Sequence, residues 1–130
     1  MTSVSEHLKA RVPQEVEAFR ELLLDMSHTI HANPERAFKE YKAAALLTNT
    51  LEQHGFAVER GGGGLETAFT ATYQKQGGGP TIAWLCEYDA LPEIGHACGH
   101  NIIATCDDRL AAGSARAGAC LHPTREPVIV

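Results

Sequence analysis

The residues best equipped for chemistry lie in one stretch, Cys86-Glu87-Tyr88-Asp89-Ala90-Leu91-Pro92-Glu93-Ile94-Gly95-His96-Ala97-Cys98-Gly99-His100-Asn101. Carboxylates, imidazoles and thiols crowd into it directly after the apolar run Thr81-Ile82-Ala83-Trp84-Leu85-Cys86, which reads as a buried strand opened by a Gly77-Gly78-Gly79-Pro80 turn. A reactive loop leaving the C-terminal end of such a strand is where open α/β sheets hold ligands. Cys98 and His100 stand at i and i+2, so an extended backbone would send both side chains to the same side, with Gly99 allowing a tight turn between them. Thiolate and imidazole together suit zinc, and Asp89 and Glu87 add the negative charge a divalent cation requires. Alone, a Cys-x-His pair is more often a buried thiol beside a satisfied core histidine than a ligand pair. The loop as a whole reads as half of a metal site.

The string Asp89-Ala90-Leu91-Pro92 followed by Ala97-Cys98-Gly99-His100, and the upstream His31-Ala32-Asn33-Pro34-Glu35 with Glu40 beyond it, carry a family resemblance. The chain resembles the aminoacylase/carboxypeptidase-type zinc amidohydrolases, metallopeptidase family twenty. Within that family it is most similar to the p-aminobenzoyl-glutamate hydrolase and β-alanyl-dipeptidase branch. The resemblance runs from about Glu15 to Thr105 and is that of an N-terminal portion. It implies hydrolysis of the amide bond of an N-acyl amino acid or dipeptide-like substrate by paired metal ions, zinc first and manganese or cobalt as alternatives. It also implies that Cys98 and His100 are metal ligands and that Asp89 is the acid that orients a ligand. Glu87 falls where other branches of the family place a ligating histidine, and Asn101 where many relatives have aspartate. His96 is not a ligand in the family and is expected to be structural. The remaining ligands and a Glu-Glu pair carrying the general base lie downstream in relatives, so this chain is expected to be inactive alone.

Composition shifts at Thr105. Residues 1–105 are read as the start of the catalytic domain, and 106–130 as a divergent tail, an out-of-frame or otherwise aberrant extension. A genuine helix over Asp108 to Gly118 is the alternative. With 130 residues the chain forms one domain at most, and its net charge of −5 offers no basic stripe for nucleic acid. No apolar segment approaches membrane-spanning length, and the start lacks the apolar core of a secretory signal, which points to the cytoplasm. The four cysteines lack the dense spacing of a small secreted protein and are expected to be reduced.

The elements that must position the loop follow from spacing. Val16, Phe19, Leu23, Met26 and Ile30 recur at intervals of three and four, the stripe of an amphipathic helix with Pro13 in its first turn. A second helix is expected from about Ala37 to His54, burying Tyr41, Ala44, Ala45, Leu47 and Leu51 and capped by Gly55. Phe56–Glu59 reads as a short strand, Gly61–Gly64 as a turn without the lysine and hydroxyl of a phosphate loop, and Thr67–Tyr73 as a strand paired through the glycine turn with Thr81–Cys86. The order is that of an α/β fold. The family resemblance implies a mixed sheet with helices on both faces. A non-enzymatic alternative is a metal- or thiol-binding remnant that self-associates as a homo-oligomer through uncovered sheet edges.

Overall fold

The apolar stripe makes helix, but it is cut in two. The computed structural model of the chain describes residues 4–73, 83–106 and 128–129. Helix α1 spans Val4–Glu17 and helix α2 spans Arg20–Ala32. Pro13 lies inside α1 rather than in its first turn. The break falls at 18–19, where the Phe19 N–H reaches back only three residues, to the Val16 carbonyl at 3.1 Å. Burial separates the two pieces: Val12 and Val16 remain exposed on α1, whereas Met26 and Ile30 on α2 are fully enclosed. The stripe is continuous in sequence, and only its second half reaches the core.

Helix α3 covers Tyr41–Gln53, starting four residues later than its apolar spacing suggests. Phe38, with φ of 67°, sits in the left-handed region and cannot belong to a helix. The first turn is held from a distance: the Glu35 carboxylate accepts the N–H groups of Lys42 (2.9 Å) and Ala43 (3.0 Å). At the other end, Gly55 takes φ of 89°, as a helix stop requires, and the His54 ring donates from Nδ1 to the Thr50 carbonyl at 2.7 Å. Leu47 and Leu51 are buried as expected, but Tyr41 and Ala45 are exposed. Thr48 and Thr50 are enclosed instead, which they tolerate by donating to the carbonyls of Ala44 and Leu46.

Strands β1 (Ala57–Arg60) and β2 (Phe69–Thr72) form an antiparallel pair joined through a turn at Gly62–Gly64. Strand β3 is Ala83–Trp84 and strand β4 is Val128–Ile129, and the sheet order is β1-β2-β4-β3. The expected pairing of β2 with the strand before the reactive loop is therefore not made. Strand β4 lies between them, antiparallel to β2 and parallel to β3. β2 and β3 still run in opposite directions, as in a hairpin, but stand one strand apart. The glycine turn linking them and the tail helix considered over Asp108 to Gly118 lie outside the described residues. The sheet is mixed, as expected, and α3 packs on β1 and β2 while α2 packs on α3.

One core results: Met26 and Ile30 from α2, Ala43, Leu47 and Leu51 from α3, then Phe56, Phe69, Ala71 and Ala104, with Trp84, Cys86 and Tyr88 against its edge. Each large apolar side chain enclosed there contributes about 1.5–3 kcal/mol. The described part of that run, residues 83–86, is not buried on both faces, since Leu85 is 70% exposed. Among the described residues β3 is the last strand of the sheet, and its Trp84 packs against the core. Among the described residues no helix is long and apolar enough to cross a membrane.

Candidate metal centre

The segment that follows β3 keeps the period of two of an extended chain. Cys86 and Tyr88 pack against the core, and Ala90 is buried. Between them Glu87 and Asp89 turn the other way. Three fastenings hold this register: the Cys86 thiol points at the Ala104 carbonyl (3.6 Å), the Tyr88 hydroxyl donates to the Thr67 carbonyl (2.6 Å), and the Ala90 N–H donates to the Glu35 carbonyl (2.7 Å).

His100 stands between the two carboxylates. Its Nδ1 lies 2.7 Å from Asp89 Oδ1 and its Nε2 lies 3.0 Å from Glu87 Oε2. Asp89 is only 29% exposed and Glu87 64%, so the contact on Nδ1 is the sheltered one. A carboxylate can only accept. The Asp89 contact therefore places an N–H on Nδ1, and the neutral ring then offers a lone pair from Nε2 toward a second acceptor. Two acceptors 3.0 Å apart need a proton or a cation between them. That is the donor chemistry of a cation site, with the orienting carboxylate on the far ring nitrogen. Because Asp89 and Glu87 address opposite nitrogens, the three groups do not converge on a single point. Among the described residues no three His, Cys, Asp or Glu side chains are arranged to hold a metal ion.

His100, Asp89 and Glu87 open onto a cleft of about 590 Å³ whose other walls include Phe38, Glu40, Leu65 and Thr67. Its size is within the range of small-ligand sites. Cys98 does not line it and is exposed. The extended backbone expected over Cys98 and His100 is not formed: residues 96–98 make a turn, Gly99 takes φ of 81°, and a helix begins at 100. Of the pair, His100 lines the cleft and Cys98 does not. Cys86, Cys98 and Cys106 carry thiols rather than disulfides. His96 is 6% exposed, and neither ring nitrogen has a hydrogen-bond partner among the described residues. Burial, then the neighbouring His31 and His100, push its pKa below the ordinary histidine value.

The upstream motif is a support. His31 is exposed, 6.2 Å from the His96 ring centre to centre. Glu35 ties α3 to the site segment, its carboxylate on the helix and its carbonyl on Ala90. Asn101, buried, reaches α2, donating to the Ser27 hydroxyl at 3.0 Å. Sequence reasoning missed Thr67 and the part played by Glu40 and Tyr88. The alternation of Trp84, Cys86, Tyr88 and Ala90 with Leu85, Glu87 and Asp89 was the signal that could have found Tyr88.

No family model matches the chain. It is 41% identical over 108 residues to the Xaa-Arg dipeptidase of Mus musculus, a match covering 76% of this chain and 25% of the relative. It is 36% identical to a component of the p-aminobenzoyl-glutamate hydrolase of Escherichia coli K12, covering 69% of the chain and 22% of the relative. The thermostable carboxypeptidase 2 of Saccharolobus solfataricus is 31% identical, with 72% and 27% covered. The chain thus spans about a quarter of the length of the relatives it matches. Two crystal structures share its fold. A proposed aminohydrolase from methicillin-resistant Staphylococcus aureus superposes with a TM-score of 0.75 at 20% identity, over 92% of this chain and 33% of that one. A dinuclear metal-binding peptidase of the M20 family from Bacillus subtilis gives 0.68 at 22%, over 87% and 34%.

Proposed function

We propose, from the premise that this chain belongs to metallopeptidase family twenty with its dipeptidase, hydrolase and carboxypeptidase relatives, that it is the part of a metal-dependent amidohydrolase that carries one side of the metal centre. The reaction is hydrolysis of the amide bond of an N-acyl amino acid or dipeptide-like substrate in the cytoplasm. The observation that carries the reading is the His100 ring held at Nδ1 by Asp89, with Nε2 facing a second carboxylate at the wall of a cleft.

A bound divalent metal, zinc or alternatively manganese or cobalt, would supply a water of lowered pKa and polarise the amide carbonyl. Of this chain's residues, the His100 imidazole at the cleft wall would be the ligand the geometry supports, and Cys98, exposed and outside the cleft lining, would be a ligand only by the family resemblance. Asp89 keeps the proton on Nδ1 and so keeps the Nε2 lone pair available, a positioning role. Glu87 adds negative charge beside that lone pair and discourages anionic groups from sitting there. The cleft walls at Phe38 and Leu65 shelter the apolar part of a substrate. The sequence has no Glu-Glu pair to supply a general base, and two ligands are fewer than the three a catalytic zinc takes. On this reading the chain by itself is inactive or nearly so and binds metal weakly.

Calorimetric titration of zinc into the purified chain, beside a Cys98→Ser/His100→Ala variant, tests the ligand assignment. Saturable binding lost in the variant is expected, with no turnover of a panel of dipeptides and N-acyl amino acids. Equal zinc binding by both proteins would remove Cys98 and His100 as ligands. Zinc-dependent hydrolysis by the chain would overturn its inactivity.

A further inference from the structure

We propose that Tyr88, fastened through Thr67 to the buried carboxylate of Glu40, is the positioning residue that sets how Glu87 and Asp89 straddle the His100 ring. Glu40 is 7% exposed and Thr67 5%. An enclosed carboxylate is costly unless its oxygens are engaged. Here each oxygen has one donor: Oε1 accepts the Phe38 N–H at 2.8 Å, and Oε2 accepts the Thr67 hydroxyl at 2.7 Å. The carbonyl of the same Thr67 accepts the Tyr88 hydroxyl at 2.6 Å. Glu40 immediately precedes α3, Thr67 leads into β2, and Tyr88 sits in the site segment. Three parts of the chain therefore meet at one linked set of hydrogen bonds.

The consequence reaches the site through backbone geometry. In an extended segment the side chain at 88 points opposite to those at 87 and 89, so fixing Tyr88 fixes the direction and spacing of its neighbours. The Tyr88 ring is stacked on Phe69, with centroids 5.8 Å apart and planes 25° from parallel. That contact sets depth, and the hydroxyl sets rotation along the segment. Burial, and secondarily the nearby Glu40 carboxylate, raises the phenol's pKa, so the hydroxyl stays a donor. Were Tyr88 only filling space, phenylalanine would serve equally, since it keeps the stacked ring. The hydroxyl and the buried acid behind it are what packing leaves unexplained.

The inference rests on the proposed metal centre only for its effect on affinity, because the orientation of the His100 ring can be read without metal. Tyr88→Phe in the full chain is compared with the parent by imidazole ¹⁵N resonances and by zinc titration. The expected result is a chain with unchanged circular dichroism whose His100 resonances leave the Nδ1–H pattern of the parent and whose zinc affinity falls about 10-fold or more, as when a group orienting a ligand is lost. Glu40→Gln should shift the resonances in the same direction by less. Unchanged His100 resonances in Tyr88→Phe, with zinc affinity within about two-fold of the parent, would overturn the proposal. Should the parent bind no zinc, the ligand assignment fails and the resonances alone decide on Tyr88. If Tyr88→Phe does not fold, Thr67→Ser and Thr67→Val replace it. Serine should keep the parent pattern and valine lose it, and identical spectra from the two would reject the linkage.

Discussion

Residues 86–90 and 92–98 are neighbours in one loop, yet they are built differently. In the first segment every second residue is tied to the rest of the fold: Cys86 to the Ala104 carbonyl, Tyr88 to Thr67 and Ala90 to Glu35. In the second, Pro92, Glu93, Ile94, Ala97 and Cys98 are exposed. Its backbone bonds close local turns, as from Gly95 N to Leu91 O and from Ile94 N to Pro92 O. Glu93 and Gly95 bend it through left-handed conformations, with φ of 67° and 61°. Only His96 turns inward. The side of the site that orients His100 is thus assembled by the core, whereas the side bearing Cys98 is assembled by its own turns.

Hollowing the core beneath the first segment should separate the two segments most strongly. Leu51→Ala, at a residue 1% exposed, should lower stability by about 2–5 kcal/mol, read as a shift in the denaturant midpoint. If residues 86–90 depend on that core and 92–98 do not, hydrogen exchange at Tyr88 and Ala90 should accelerate by a larger factor than at Ile94. Equal acceleration would mean that the loop is one unit.

A smaller effect separates the two tasks of Glu35. Glu35→Ala deletes the carboxylate on the first turn of α3 but keeps the carbonyl that holds Ala90. The expected loss is about 1 kcal/mol of stability, the usual cost of a missing helix cap, with the His100 resonances unmoved. A change at His100 would show that the start of α3 is coupled to the site more tightly than the backbone bond alone requires.

The smallest effect is expected far from the loop. Glu52 and Arg60 join α3 to β1 at 2.7 Å on the surface, and the Arg60 guanidinium holds the Glu52 carboxyl below its ordinary value. A carboxyl lowered in the folded state stabilises above its unfolded pKa, and that contribution fades as the pH falls through the lowered value. Glu52→Gln should therefore change the midpoint slightly at neutral pH and not at all in acid, and salt should erase the difference. A large, salt-insensitive loss would indicate that β1 depends on this pair.

Much of this organisation was legible in the chain. The period of α2, the run of α3 up to Gly55, the strands at 57–60 and 69–72 and the reactive loop all follow from local spacing and turn chemistry. Those features depend on residues within a few positions of each other, so a linear reading captures them. The break between α1 and α2, the late start of α3 and the strand inserted between β2 and β3 depend on which surfaces meet, and no local pattern records that.

The same division applies at the site. The sequence by itself nominated Cys98, His100 and Asp89, because thiol, imidazole and carboxylate at close spacing are a local composition. Only the tertiary structure decided that Asp89 and Glu87 take opposite nitrogens of one ring, and that Cys98 is left exposed. It alone brought Glu40 to Thr67 across 27 positions and Tyr88 to Thr67 across 21. Hydrogen bonds of that span exist only when packing has already closed the chain on itself, so they are properties of the fold and cannot be read along its length.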